Sequence, residues 1–205
     1  MKSPTRKSIV TRILATFGWN EDNQLGVPQG IVEQHRPLRI KKLDELKCCA
    51  AGGQHMAAIN KQGKLLTWGC NDEGGLGRVT KDGSDTTDNQ VELERDPTPV
   101  MNDVAFVYAG GGYTLSMNRD CSQLLMHGCF RSYEGNKIRE KNFGDSAKDV
   151  RCDAVPVNFD GKKLRKVACG ENFCAVIDES GQLYTFGITD DVCGKEFDPP
   201  IVSVF

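Results

Sequence analysis

The sequence predicts an all-β protein built from propeller blades. One unit recurs along the chain, each copy carries paired short strand signals around a turn, and helical periodicity is almost absent. A repeat of roughly 50 residues marks a propeller, solenoid or array, whose units cannot bury their apolar faces alone. Four short antiparallel strands per unit suit blades rather than a helical solenoid.

The first copy is partial: Thr16-Phe17-Gly18, then Gln24-Leu25-Gly26. The second runs from Gly52-Gly53-Gln54-His55 through Leu65-Leu66-Thr67-Trp68-Gly69 to Gly74-Gly75-Leu76-Gly77. The third runs from Gly110-Gly111-Gly112-Tyr113 to Gly128, and the fourth from Gly170-Glu171-Asn172-Phe173 to Gly187. The strand-ending glycines Gly18, Gly69, Gly128 and Gly187 are spaced by 51, 59 and 59 residues.

Hairpins are expected at Met56–Asn60 with Lys64–Trp68, around Lys61-Gln62-Gly63, and at Cys174–Asp178 with Gln182–Phe186. An apolar strand precedes each glycine cluster: Leu46–Ala50, Val104–Tyr108 and Leu164–Ala168. The links between units supply a fourth strand at Val91–Leu93 and Ala154–Val157. The organisation is a basic tail (1–12), blades at about 13–40, 41–99, 100–158 and 159–194, and a C-terminal tail (195–205).

The 205 residues carry a formal net charge of −2, which exerts no global pull toward nucleic acid or acidic membrane. No apolar run approaches the ~18–20 residues of a membrane helix, so no membrane partner is expected. Lys2, Arg6, Lys7 and Arg12 read as a solvated basic tail or as a chromatin contact. The cysteines number nine, with no Cys-x-x-Cys and no His pair at ligand spacing, which argues against a metal site or a disulfide framework. Cys49, Cys169 and Cys174 lie in or beside strands and read as small, buried, reduced hydrophobes.

Gly110-Gly111-Gly112 lacks the Lys-Ser/Thr and helix of a phosphate cradle. His55, Tyr113 and Phe173 share one repeat position, which suits a packed ring rather than a general base. Ser116 and Ser122 have no recognisable triad partners. Neither a cofactor nor covalent catalysis is expected.

The stretch Gly69-Cys70-Asn71-Asp72-Glu73-Gly74-Gly75-Leu76-Gly77-Arg78 is far more specific than the repeat pattern. It resembles the regulator of chromosome condensation family, that of the nuclear exchange factor for the small GTPase Ran. Gly52-Gly53-Gln54-His55, Gly83-Ser84-Asp85, Val91-Glu92-Leu93 and Gly128-Cys129-Phe130-Arg131 extend the likeness in the same order, over residues 13 to about 194. The resemblance implies a seven-bladed propeller, of which about three and a half blades are present, in a nuclear or, second, cytoplasmic protein. It also implies one face for the GTPase, the other face and a basic tail for chromatin, and open blade edges suited to self-association. The exchange factor binds the nucleotide-free GTPase more tightly than its loaded form, using a wedge and carboxylates that compete with phosphate.

Carried onto this chain, the GTPase contacts would be Glu21, Asp22, Asp72 and Glu73, the hairpin residues Phe130, Arg131 and Glu134, and Glu171; Phe130 and Arg131 read alternatively as blade packing, and Asp72 and Glu73 as turn residues. Gly18, Gly52, Gly53, His55, Gly69, Gly77, Gly110, Gly128, Gly170 and Gly187 hold structural repeat positions. The chain departs from the family where contact is expected. Gly111 replaces an aspartate, Glu171-Asn172 replaces Asn-Asp, Ser132 replaces an aspartate, and the hairpin through Ile138 is one residue longer. The implied function is an exchange-factor-like propeller acting on Ran, weakened or incomplete. The alternative is a non-catalytic protein–protein or chromatin interaction module.

Overall fold

Glycine closes the third strand of the second, third and fourth repeats because backbone and space both require it, and Gly18 of the first repeat shares the backbone requirement alone. Gly18, Gly69, Gly128 and Gly187 have φ from 83° to 113°, and a Cβ on Gly69 would stand 2.6 Å from the Gln54 carbonyl oxygen. The computed structural model describes residues 13–43, 45–80, 94–131, 137–138 and 154–187. The chain is all-β, with its blades in sequence order.

The first blade pairs β1 (Ala15–Trp19) with β2 (Glu33–Arg39). The second is the meander β3 (Leu46–Ala51), β4 (His55–Asn60), β5 (Leu65–Gly69) and β6 (Thr98–Met101). The third holds β7 (Phe106–Ala109), β8 (Tyr113–Met117) and β9 (Leu124–Gly128). A separate ribbon of β10 (Phe130–Arg131) and β11 (Lys137–Ile138) leaves it before β12 (Val155–Val157) closes the sheet. The fourth comprises β13 (Leu164–Cys169), β14 (Phe173–Asp178) and β15 (Leu183–Gly187).

The hairpin strands stand within a residue or two of expectation. The fourth strand of the second blade does not: Thr98–Met101 pairs with β5, with Leu66 opposite Pro99, whereas Val91–Leu93 lies outside the described residues. Pro37, Pro99 and Pro156 each sit within such an outer strand, on β2, β6 and β12. An edge strand tolerates proline because one side has no partner to receive the missing N–H. Cys49 is also a correction, being exposed rather than buried. It alternates with Cys48, which packs toward the third blade, so its side chain takes the opposite face of β3.

The core lies between blades. Trp68, Leu66 and Ala58 meet Leu25, Val27 and Ile40 of the first blade, while Ala57, Ile59 and Leu65 meet Val104 and Val107 of the third. Tyr113, Leu115, Met126 and Phe130 meet Leu164, Val176 and Phe186 of the fourth. Every residue of β5 and β8 is therefore buried, whereas buried and partly open residues alternate along most of β14. Phe17 and Trp19 of the first blade are 63% and 62% exposed, and Phe173 of the fourth is 44% exposed.

Polar bonds fix the blade-to-blade register. His55 Nε2 lies 2.9 Å from Thr114 Oγ1, whose own proton goes to the Gly75 carbonyl at 2.8 Å; the imidazole is therefore the donor. One repeat on, Tyr113 Oη donates to the carbonyls of Gly170 and Phe173 at 2.9 and 2.7 Å. A Cβ on Gly52, Gly110 or Gly170 would collide with the ring three residues ahead. These glycines thus make room for the rings, of which His55 and Tyr113 reach across to the next blade.

Burial pulls the His55 pKa from 6.5 down to about 4, with backbone hydrogen bonds at Tyr113 and Gly111 opposing it in part. The fold holds the neutral imidazole, while the unfolded chain takes a proton below pH 6.5. The stabilisation is thus complete above that pH and is lost as pH falls toward 4, amounting to about 3 kcal/mol. Urea unfolding at pH 7.5 and pH 4 is expected to lose that much less stability in His55→Gln than in the parent; equal losses would refute a titrating His55.

Candidate functional site

Two side chains build the turn after the strand-ending glycine. Thr16 Oγ1 donates to the Leu25 carbonyl at 2.8 Å, and Asn20 Oδ1 accepts from the Leu25 N–H at 2.8 Å. Asn20 Nδ2 reaches the Ile31 carbonyl at 2.6 Å. The second blade repeats this arrangement. Thr67 Oγ1 donates to the Leu76 carbonyl at 2.7 Å, Asn71 Oδ1 accepts from the Leu76 N–H at 3.0 Å, and Asn71 Nδ2 donates to the Arg78 carbonyl at 2.7 Å. Both leucines are buried.

The anchored turns present carboxylates. Glu21 and Asp22 directly follow Asn20, and Asp72 and Glu73 directly follow Asn71; Glu21 and Asp72 are exposed. Asp22 Oδ2 also accepts from Gln54 Nε2 at 2.7 Å, joining the first blade's turn to the second blade's glycine turn. Sequence reading picked out the carboxylates but not Asn20 and Asn71 behind them. Their shared place two residues after the glycine was the available signal.

In the third blade that place belongs to Phe130, which is wholly buried. Its ring meets Tyr113 edge-on at 4.8 Å and Phe186 at 6.2 Å. The expected surface contact at Phe130 is corrected: the side chain is core, because an apolar residue here enters the gap between the third and fourth blades. Arg131 pairs with Lys137 in the ribbon. Glu134 and the tail residues Lys2, Arg6, Lys7 and Arg12 lie outside the described residues.

The three glycines of the third blade each admit a neighbour. Gly110 makes room for the Tyr113 ring. A Cβ on Gly111 would stand 2.7 Å from the Glu171 carbonyl oxygen and 3.0 Å from its Cγ, and one on Gly112 would stand 2.5 Å from Glu73 Cγ. Backbone bonds tighten this row: Gly53 N–H reaches the Gly110 carbonyl at 3.0 Å, and Gly111 N–H reaches that of Glu171 at 2.8 Å. Stems from the second and fourth blades therefore lie across the third blade's turn. Glu73 and Glu171 both line a cavity of about 750 Å³ at the inner strands.

A Cβ on Gly77 would meet the His127 ring, one on Gly128 the backbone of Gly75 and Gly112, and one on Gly187 the backbone of Asn172 and Phe173. Among the described residues, no cluster of three or more metal-ligating side chains forms. The face offers negative charge and acceptor oxygens on turns locked blade to blade, a surface for a basic partner.

Phe130→Ala is expected to lower unfolding free energy by about 3–5 kcal/mol, as for a large ring removed from a core. Denaturant unfolding at the parent's level would return Phe130 to the surface.

Residues 16–59 and 50–74 match models of the Regulator of chromosome condensation (RCC1) repeat. The mouse Regulator of chromosome condensation is 28% identical over 187 residues, covering 90% of this chain and 39% of that protein. Human Protein RCC2 is 31% identical over 155 residues, covering 73% of this chain and 25% of that protein. The crystal structure of Prp20p from Saccharomyces cerevisiae superposes with a TM-score of 0.74 at 22% identity, covering 88% of this chain and 42% of Prp20p. The chain spans about two fifths of the length of the mouse and Xenopus laevis regulators it matches.

Proposed function

We propose that this chain, a partial member of the regulator of chromosome condensation family, uses its acidic turn face to bind a small GTPase of the Ran type. The observation that carries this reading is the row formed by Glu21, Asp22, Asp72, Glu73 and Glu171, on turns tied together by Asn20, Asn71, Gln54 and the Gly111–Glu171 bond. Carboxylates held in advance lose little freedom on meeting lysines and arginines of a partner, and they attract it at a distance. Prp20p is described together with its binding properties to Gsp1p and histones, and the histones agree with chromatin as a partner class. The reading places the chain in the nucleus and assigns it no covalent chemistry.

A specific observation favours binding without exchange. Phe130 is committed to the core, so it has no side-chain surface for prising at a phosphate-binding loop. Nucleotide release would then rest on the carboxylates and on the hairpin beyond Arg131. A protein–protein or chromatin interaction module is the second reading for that reason.

Release of a fluorescent guanine nucleotide from Ran, measured beside binding by calorimetry, separates the readings. Binding is expected, and the double charge reversal Glu21→Lys with Glu171→Lys should weaken it at least roughly tenfold, about 1.4 kcal/mol. Accelerated release marks an exchange factor, and binding without acceleration marks the module. An unchanged affinity in the folded double variant removes this face from the contact.

A further inference from the structure

We propose that Cys169 and Cys174 form a redox-active thiol pair that a hydroperoxide converts into a cross-strand disulfide of the fourth blade. The two residues are direct partners in the antiparallel pairing of β13 with β14, and their sulfurs lie 3.9 Å apart. Directly opposed residues have Cα atoms about 4.5–5.5 Å apart, within the usual disulfide span of about 4.4–6.8 Å. Bond formation therefore needs rotation of the two side chains and no change of register.

Position in the repeat makes the pair specific. The same cross-strand site holds Ala51 opposite Met56 in the second blade and Ala109 opposite Thr114 in the third. Cys48 and Cys49, though adjacent in sequence, alternate between the two faces of β3. Among the described residues, two thiols face one another across strands in the fourth blade alone.

The two sulfurs differ in access and environment. Cys169 is partly exposed and lines the cavity of about 750 Å³, whereas Cys174 is buried, with Sγ 3.1 Å from Tyr113 Oη. A hydrogen bond from the Cys174 thiol lowers the Cys169 pKa, ahead of the opposing effect of burial. The division suits an attacking thiolate at Cys169 and a resolving thiol at Cys174.

The Cys169 thiolate attacks one peroxide oxygen; an S–O bond forms, the O–O bond breaks, and the departing oxygen takes up a proton and leaves as water or alcohol. Cys174 sulfur then attacks Cys169 sulfur and gives up its proton, so that the S–S bond forms, the S–O bond breaks and a water leaves. The two sulfurs lose two electrons in all, and the peroxide gains them. A low-molecular-weight thiol reverses the step by exchange. The product ties the inner strand of the fourth blade to its neighbour and alters the Cys174 contact with Tyr113, the ring that joins the third and fourth blades.

The test treats the native chain with hydrogen peroxide, alkylates the remaining thiols and cleaves after Glu171, between the two cysteines. Mass spectrometry is expected to find a linked peptide pair, two hydrogens lighter than the separate peptides, which separates on adding dithiothreitol. Exposed Cys49 should be alkylated in the same sample. Cys174→Ser should leave Cys169 as a sulfenic acid that dimedone traps. Because the parent chain alone decides the linkage, misfolding of the variant would not rescue the proposal. Alkylation of both thiols after peroxide, or Cys169 linked mainly to another cysteine, would overturn it.

Discussion

The ring that opens each blade's second strand ties the fold together. His55 and Tyr113 each cross to the following blade, one through the Thr114 hydroxyl and the other through the carbonyls of Gly170 and Phe173. Each lies over a glycine three residues earlier, where a methyl group has no room. Polar ends buried between sheets must find partners or the contact costs stability, so these bonds specify how neighbouring blades align. The apolar clusters supply the larger share of burial. Apolar contact is non-directional; the rings give it a register.

Most of this fold was legible because each repeat restates the same local needs. A glycine at positive φ recurs at or next to the end of one strand in all four repeats, and the hairpins around Gly63 and Gly181 place positive-φ glycines at their turns. The outer strand of the second blade was harder to read, since Pro99 resembles a breaker until it is aligned with Pro37 and Pro156 on the same edge. Exposure of Cys49 depends on what covers the far face of β3, which is a tertiary fact. The half-open pattern of β14 has the same origin.

The candidate site was legible in its charges and obscure in its supports. Glu21, Asp22, Asp72 and Glu73 announce themselves as acidic turns, but their placement comes from Asn20 and Asn71, which accept from the N–H of a buried leucine five residues on. Phe130 read as part of a wedge because Gly128-Cys129-Phe130-Arg131 resembles the family's hairpin, whereas an aromatic beside arginine at a strand end equally suits blade packing. Alignment with the two asparagines gives a better account. A position that organises a turn through hydrogen bonds in two blades has become apolar in the third, and the turn has given way to the ribbon of β10 and β11.

Gly111 and Glu171 carry the remaining part of the functional reading, and they belong together. Set against the family pattern the sequence resembles, the third blade has glycine where an aspartate is expected and the fourth carries its carboxylate one residue away, two separate departures on an acidic face. In space the Glu171 stem fills the volume that a side chain at position 111 would need, and the Gly111 N–H is bonded to the Glu171 carbonyl. An aspartate at 111 would push against that carbonyl and bring a second negative charge close to Glu171, costs of sterics and repulsion that glycine avoids. The third blade's turn thus takes its acidic character from the next blade, whose Glu171 reaches across it. Glu73 does the same from the other side over Gly112. A partner that reads charge over the whole face would meet much the same negative surface, whereas one requiring an aspartate at a fixed place on the third blade would not.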